Sequence, residues 1–230
     1  MSALKLKEVL SIESNIGRSL HLSKRRILLI SLTALTANAV ISILLIFGIY
    51  DVPSGSLLAG LGLIVYVWAA RGNPKSLGLR LKPEQGWKYW IRVTALLISI
   101  FLACLIILFI VLKVIHFTDA RAISSLKLFC NLLLFNSLIN PVIEEIMTRL
   151  ILCVPLSIFI GNTGAIIGSG LVFGGFHLAS GYGVIPTLLA GHLLAWAFLK
   201  SKSILVPIVL HSLGNTCILT FSLAYRYYGS

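Results

Sequence analysis

Acid is the scarcest thing in this chain. Aspartate and glutamate together number seven in 230 residues, and all charged residues make up 11% of the sequence. A soluble domain carries about 25% charge, so water cannot be the solvent for most of this surface. Other features are missing too. There is no CxxC pair, no HExxH, no internal repeat and no low-complexity tract. The lack of CxxC removes the common thiolate metal and redox motifs. The lack of HExxH argues against a site-two type zinc protease, and the lack of a repeat argues against a transporter built from symmetric halves. No basic patch interleaved with aromatics marks a nucleic-acid partner, so the net charge of +12 reads as lysines and arginines flanking membrane spans. The partners expected from composition are membrane lipids, with no nucleic acid.

What is abundant is hydrocarbon: 58% of the residues are hydrophobic and the mean hydropathy is +0.99. At about 20 residues per crossing, the expected fold class is all-α, a polytopic transmembrane helical bundle of seven or eight spans. Apolar runs cover 27–50, 57–70, 93–115, 123–160, 164–179, 184–199 and 204–224. Pro141 leaves the count open, because it can kink one long helix or begin a new one. Three regions are expected: a polar N-terminal segment over 1–26, the first transmembrane helices over 27–120, and a membrane core over 121–230. The N-terminal segment is too long and too charged for a cleaved signal.

Basic residues are unevenly distributed. Lys5, Lys7, Arg18, Lys24, Arg25 and Arg26 precede the first span, the 50–56 turn has none, and the 71–92 loop holds another six. This predicts a cytoplasmic N-terminus, with the 71–92 loop on the same side. Trp87, Tyr89 and Trp90 close that loop and read as an interfacial aromatic belt. The four cysteines, Cys104, Cys130, Cys153 and Cys217, lie in apolar runs at no ligand spacing and read as small hydrophobes.

Against this background NPVIEEIMTRL, residues 140–150, is anomalous. It puts two of the seven acids and an arginine where each charge costs about 2.5–3.5 kcal/mol. Helical geometry sorts them. Glu145 and Arg149 are four apart and can pair, while Glu144 is turned about 100° away and cannot share that arginine equally. Two further polar intrusions follow, FGGFH ending at His177 and HSLGN from His211 to Asn215. A turn at GNTG, 161–164, lies about midway between Glu144 and His177, so an antiparallel hairpin would put both at one depth, about 25 Å from the turn. His211 and Asn215, four apart, share one face of the last span.

A carboxylate, two imidazoles and a carboxamide in a dry pocket suit hydrolysis. Glutamate takes a proton from water, and imidazole and carboxamide donors hold a developing oxyanion. Glu144, His177 and His211 could equally bind a divalent metal such as zinc, and spacing does not choose between the two.

EEIMTR fits EExxxR, FGGFH fits FxxxH and HSLGN fits HxxxN, in that order on separate apolar segments. The region 140–220 thereby resembles the CAAX proteases and bacteriocin-processing enzymes, the Abi or type II CAAX prenyl endopeptidase group. The resemblance implies an intramembrane endopeptidase acting on a membrane-associated or prenylated protein, or on a leader-bearing peptide. Glu144 would activate water with help from His177. His211 and Asn215 would hold the oxyanion or a metal, and Glu145 and Arg149 would be supporting residues. The family includes enzymes described as glutamate-type and as metal-dependent, so the cofactor is open. Leu150 stands where glycine commonly follows the motif arginine.

Rival chemistries find less support in the sequence. IGSG at 167–170 gives Ser169 glycine neighbours without the full spacing of a rhomboid serine, and Gly168 and Gly170 read more simply as sites of close helix approach. Asp51 and Asp119 are not deep in a span, which disfavours aspartyl chemistry. His192 reads as a packing or supporting residue, and His21 and His116 as solvated. The non-enzymatic alternatives are a membrane scaffold or a bacteriocin self-immunity protein.

Overall fold

The computed structural model describes Thr36 and residues 74–114, 126–179 and 184–228. The expected spans at 27–50 and 57–70 lie outside the described residues except for Thr36, as do Asp51, Asp119, His21 and His116. Among the described residues every regular element is helical: a 3-10 turn at Pro74–Leu77, α1 at Trp87–Val114, α2 at Leu126–Leu134, α3 at Asn140–Glu145, α4 at Val154–Ala179, α5 at Val184–Ser201 and α6 at Leu205–Tyr228. Two wide π-helical turns, π1 at Phe135–Ile139 and π2 at Ile146–Cys153, join α2 to α3 and α3 to α4. Three helical stretches are long and apolar enough to cross a membrane: Trp87–Leu112, Leu126–Leu178 and Leu205–Tyr225. The all-helical membrane class therefore holds over the described residues, with three candidate stretches there rather than a full count of seven or eight. Leu126–Leu178 has 53 residues, more than twice the length of one crossing.

The prolines explain much of this pattern. Proline has no N–H to give the carbonyl four residues back, and its ring collides with that carbonyl. Pro141 and Pro155 each follow a π turn. There the amide just before the proline reaches five residues back instead: Asn140 N–H to Phe135 O, and Val154 N–H to Arg149 O. The wider pitch carries the helix through Pro141 without a break, so this proline does not begin a new helix. Pro186 and Pro207 instead occupy the first turns of α5 and α6, where a missing N–H costs nothing. The actual reversal is at Gly161, whose φ of 78° and ψ of 175° are open essentially to glycine alone. Only this first residue of the GNTG segment leaves helical geometry.

The described residues form two compact units. One comprises 74–84 with 143–207, the other 85–142 with 208–228. In the first, Gly161 folds the chain into an antiparallel hairpin, with Cys153 Sγ facing Ala165 O and Thr148 O facing Ser169. Helix α5 then runs antiparallel against α4 over small residues. Gly170 lies under the His192 ring, Gly174 under Leu188, and Gly191 against the Gly170 backbone. This is the close approach expected of the glycine-rich run, extended to a GxxxG pair at 170 and 174. The segment 78–84 is clamped to the α5–α6 turn. Ile204 N–H donates to Gly78 O (2.8 Å), Glu84 N–H to Ser201 O (2.9 Å) and Ser203 Oγ to Arg80 O (2.6 Å), while Lys202 pairs with Glu84 at 2.7 Å.

In the second unit α1 begins at Trp87, so Trp87, Tyr89 and Trp90 form the first helical turn rather than the end of a loop. Trp90 is buried, and its indole N–H donates to Gln85 (3.0 Å). Between Arg92 and Lys113 α1 carries no charge and is largely exposed, with Leu96, Ile100, Ile106 and Ile107 open on its surface, as expected of a helix facing lipid. Phe109 meets Phe221 and Tyr225 edge-on at 6.2 and 5.7 Å, and the Tyr225 hydroxyl donates to Leu112 O. These contacts hold α1 to α6.

The tight α4–α5 contact generates a paired prediction. A Cβ on Gly191 would lie 2.9 Å from Gly170 O and 3.1 Å from Gly170 Cα, backbone that cannot swing away, whereas a Cβ on Gly175 meets nothing within 4 Å. Gly191→Ala should destabilise the protein in detergent by about 1–3 kcal/mol and Gly175→Ala should not, as read by thermal unfolding of the two variants side by side.

Candidate active site

The site grows from the hairpin. Its first arm carries Glu144 and Glu145 at the end of α3, and its second arm carries Ser169, Phe173 and His177. Glu145 and Arg149 are both 0% exposed and form a two-pronged pair: Nε donates to Oε2 at 2.6 Å and Nη2 to Oε1 at 3.4 Å. A third guanidinium N–H, on Nη1, goes to Ser169 Oγ (2.6 Å), and that hydroxyl donates onward to Thr148 O (3.1 Å). Each charge is thus met by an opposite charge and directed hydrogen bonds, the condition for keeping an ion pair away from water.

This network also assigns Ser169. Its hydroxyl is fully buried and bonded on both sides, as a strut between the hairpin arms rather than a free nucleophile. Sequence reading missed this role, and no spacing rule would have found it, because the partner lies twenty residues away across the turn. His192 packs its ring over Gly170 and directs Nδ1 to its own helix at Leu188 O (2.6 Å), in keeping with a packing role.

Glu144 faces the other way. Its side chain is 35% exposed, against 0% for Glu145, and its Oε2 lies 3.5 Å from His177 Nε2. The two residues expected at equal depth are therefore adjacent. His177 is held by its own helix: Nδ1 lies 2.9 Å from Phe173 O. A carbonyl only accepts, so Nδ1 carries the hydrogen and, in the neutral ring, Nε2 presents a lone pair to Glu144. Two acceptors facing each other at this distance call for a shared proton or a water that donates to both.

His211 and Asn215 lie in α6, in the other unit. His211 is buried and Asn215 half-buried. Asn215 Nδ2 donates one hydrogen to Asn136 O (2.7 Å), inside π1, and a carboxamide has a second to give. Asn136 is a contact that sequence reading did not anticipate. As for a metal, Glu144 and His177 supply two of the three protein donors that a catalytic zinc takes. Among the described residues no three His, Cys, Asp or Glu side chains gather as a ligand set. Glu144 and His177 lie together in one unit, and His211 is carried by the other.

Residues 126–217 match the family model described as type II CAAX prenyl endopeptidase Rce1-like. No curated protein and no solved structure matches the chain.

The buried pair should behave asymmetrically under substitution. Arg149→Leu leaves Glu145 charged and unpartnered by its arginine, and should cost about 3–5 kcal/mol of stability. The double variant Glu145→Leu/Arg149→Leu should cost less than the sum of the two single changes, as checked by a double-mutant cycle of unfolding in detergent.

Proposed function

We propose that this chain, whose residues 126–217 match the family model of Rce1-like type II CAAX prenyl endopeptidases, is an intramembrane endopeptidase in which Glu144 activates the attacking water. The observation that carries the reading is the 3.5 Å approach of Glu144 to the Nε2 face of His177. Glu145 cannot do this work, because both of its oxygens are engaged by Arg149.

In the proposed reaction the attacking water sits beside the Glu144–His177 contact and hydrogen-bonds to both. Glu144 takes one of its protons as the water oxygen bonds to the scissile carbonyl carbon, and the carbonyl π electrons move to oxygen. His177 Nε2 accepts a hydrogen bond from the remaining O–H and fixes the direction of attack. His211 and the second N–H of Asn215 are assigned to the oxyanion, where preorganised donors contribute most. The oxyanion then collapses, the C–N bond breaks, and the departing amine takes the proton from Glu144, which returns to carboxylate. The substrate class is a peptide bond in a membrane-associated or prenylated protein, or in a leader-bearing peptide. The core over 121–230 holds every residue used. The N-terminus is assigned to the cytoplasmic side by its basic residues, together with segment 78–84 and the α5–α6 turn clamped to it.

Purified full-length protein in nanodiscs, offered a panel of prenylated and unprenylated peptides, tests this. Glu144→Gln and His177→Ala should each lower cleavage by about a hundredfold or more, with insertion and thermal midpoint preserved. Wild-type cleavage should survive a chelator. A Glu144→Gln variant as fast as wild type would point to a scaffold or self-immunity role, with the cleavage due to a contaminant. Loss of activity on chelation, reversed by zinc, would shift the water onto a metal.

A further inference from the structure

His177 is not held by hydrogen bonding alone. Its imidazole stacks on the ring of Phe173, one helical turn back, with centroids 4.3 Å apart and planes 29° from parallel. The same phenylalanine supplies the backbone oxygen that fixes Nδ1. Its ring also carries the Arg149 guanidinium, with Cζ 5.4 Å from the centroid. Phe173 is 3% exposed and its Cβ lies against Gly191 of α5, so the side chain is packed between the hairpin and α5. The buried ion pair and the water-activating pair thus touch one aromatic ring.

We infer that Phe173 is a positioning residue: its ring, braced by Arg149, holds the His177 imidazole in the plane that presents Nε2 to Glu144. This inference rests on the assignment of Glu144 and His177 above. The physical case has two parts. A lone Nδ1–H···O bond fixes one point of the imidazole and leaves the plane free to tilt about it, and a stacked ring removes that tilt. The guanidinium over the ring is attracted to its π face, and the guanidinium is itself fixed by Glu145 and Ser169, so the brace is anchored to the other arm of the hairpin. The direct consequence is chemical. An acceptor held in one orientation fixes the direction of the attacking water, and misplacing it by about 1 Å can cost a hundredfold in rate.

Three variants of the full chain in nanodiscs separate this inference from the reading beneath it. Phe173→Leu keeps apolar volume and removes the stacking face, Phe173→Tyr keeps the face, and Glu144→Gln removes the base. Phe173→Leu is expected to lower kcat by about ten- to a hundredfold with KM within about twofold, and Phe173→Tyr to restore at least about a third of the wild-type kcat. A readout independent of turnover goes with it, the nitrogen-15 spectrum of selectively labelled histidine, with His177 identified by its loss in His177→Ala. Wild type and Phe173→Tyr should show one tautomer protonated at Nδ1, and Phe173→Leu an average of two. An unchanged His177 signal in Phe173→Leu overturns the inference, whether or not turnover falls, since lost turnover alone would then report packing. Wild-type turnover in Glu144→Gln overturns the functional reading and leaves the nitrogen spectrum to judge Phe173 separately.

Discussion

The constraint on which this site depends is the cost of a charge where water is absent. Arg149 cannot stand alone among Leu150, Leu152 and Cys153, all buried. Its guanidinium therefore takes up both oxygens of Glu145 and the hydroxyl of Ser169. The network decides three things at once. It selects which of two adjacent glutamates is structural. It ties the arms of the hairpin together across the Gly161 reversal. It also leaves Glu144, about 100° round the helix, turned toward His177 instead of Arg149. Two identical side chains in consecutive positions have different chemistry because only one can face the arginine.

Holding such a network inside apolar helices requires close backbones and irregular pitch. The glycines at 170, 174 and 191 provide the first, letting α5 approach α4 to backbone contact. The π turns provide the second. π2 buries six consecutive residues, Thr148 to Cys153, which a regular amphipathic helix with one lipid-facing stripe would not do. Both π turns precede a proline, and wide turns recur at functional sites because they rotate the following side chains relative to a regular helix. Here they bracket the short α3 that bears both glutamates.

Much of this could be read from residue spacing because local geometry determines it. The Glu145–Arg149 pair follows from a separation of four. The meeting of Glu144 with His177 follows from a glycine-bearing turn and two arms of nearly equal length. Other features depend on contacts that spacing does not encode. Ser169 reads as a small residue between glycines, and only the folded hairpin makes it a strut. The aromatic residues at 87–90 read as a loop end because basic residues surround them, yet the helix begins there, with Trp90 buried. The clamp of 78–84 onto the α5–α6 turn joins residues more than a hundred positions apart, and it uses backbone groups of Gly78, Arg80 and Ser201 that no side-chain pattern reports. Pro141 was ambiguous for a physical reason: a proline breaks a helix only when the pitch cannot widen, and the sequence does not say whether it can.

The difference in exposure between the two glutamates carries the argument from architecture to chemistry. A hydrolase in a membrane must admit one reactant, water, that the surrounding hydrocarbon excludes. A carboxylate sealed with an arginine is a poor base, because protonating it would strand the cation and break several short hydrogen bonds together. A carboxylate that is one-third exposed, beside an imidazole whose other nitrogen is committed to a backbone oxygen, has the opposite properties. Protonating it leaves the Glu145–Arg149–Ser169 network intact, and its neighbour offers a lone pair rather than a competing hydrogen. The sealed pair makes this possible: by holding the hairpin and bracing Phe173, it keeps Glu144 and His177 fixed beside each other.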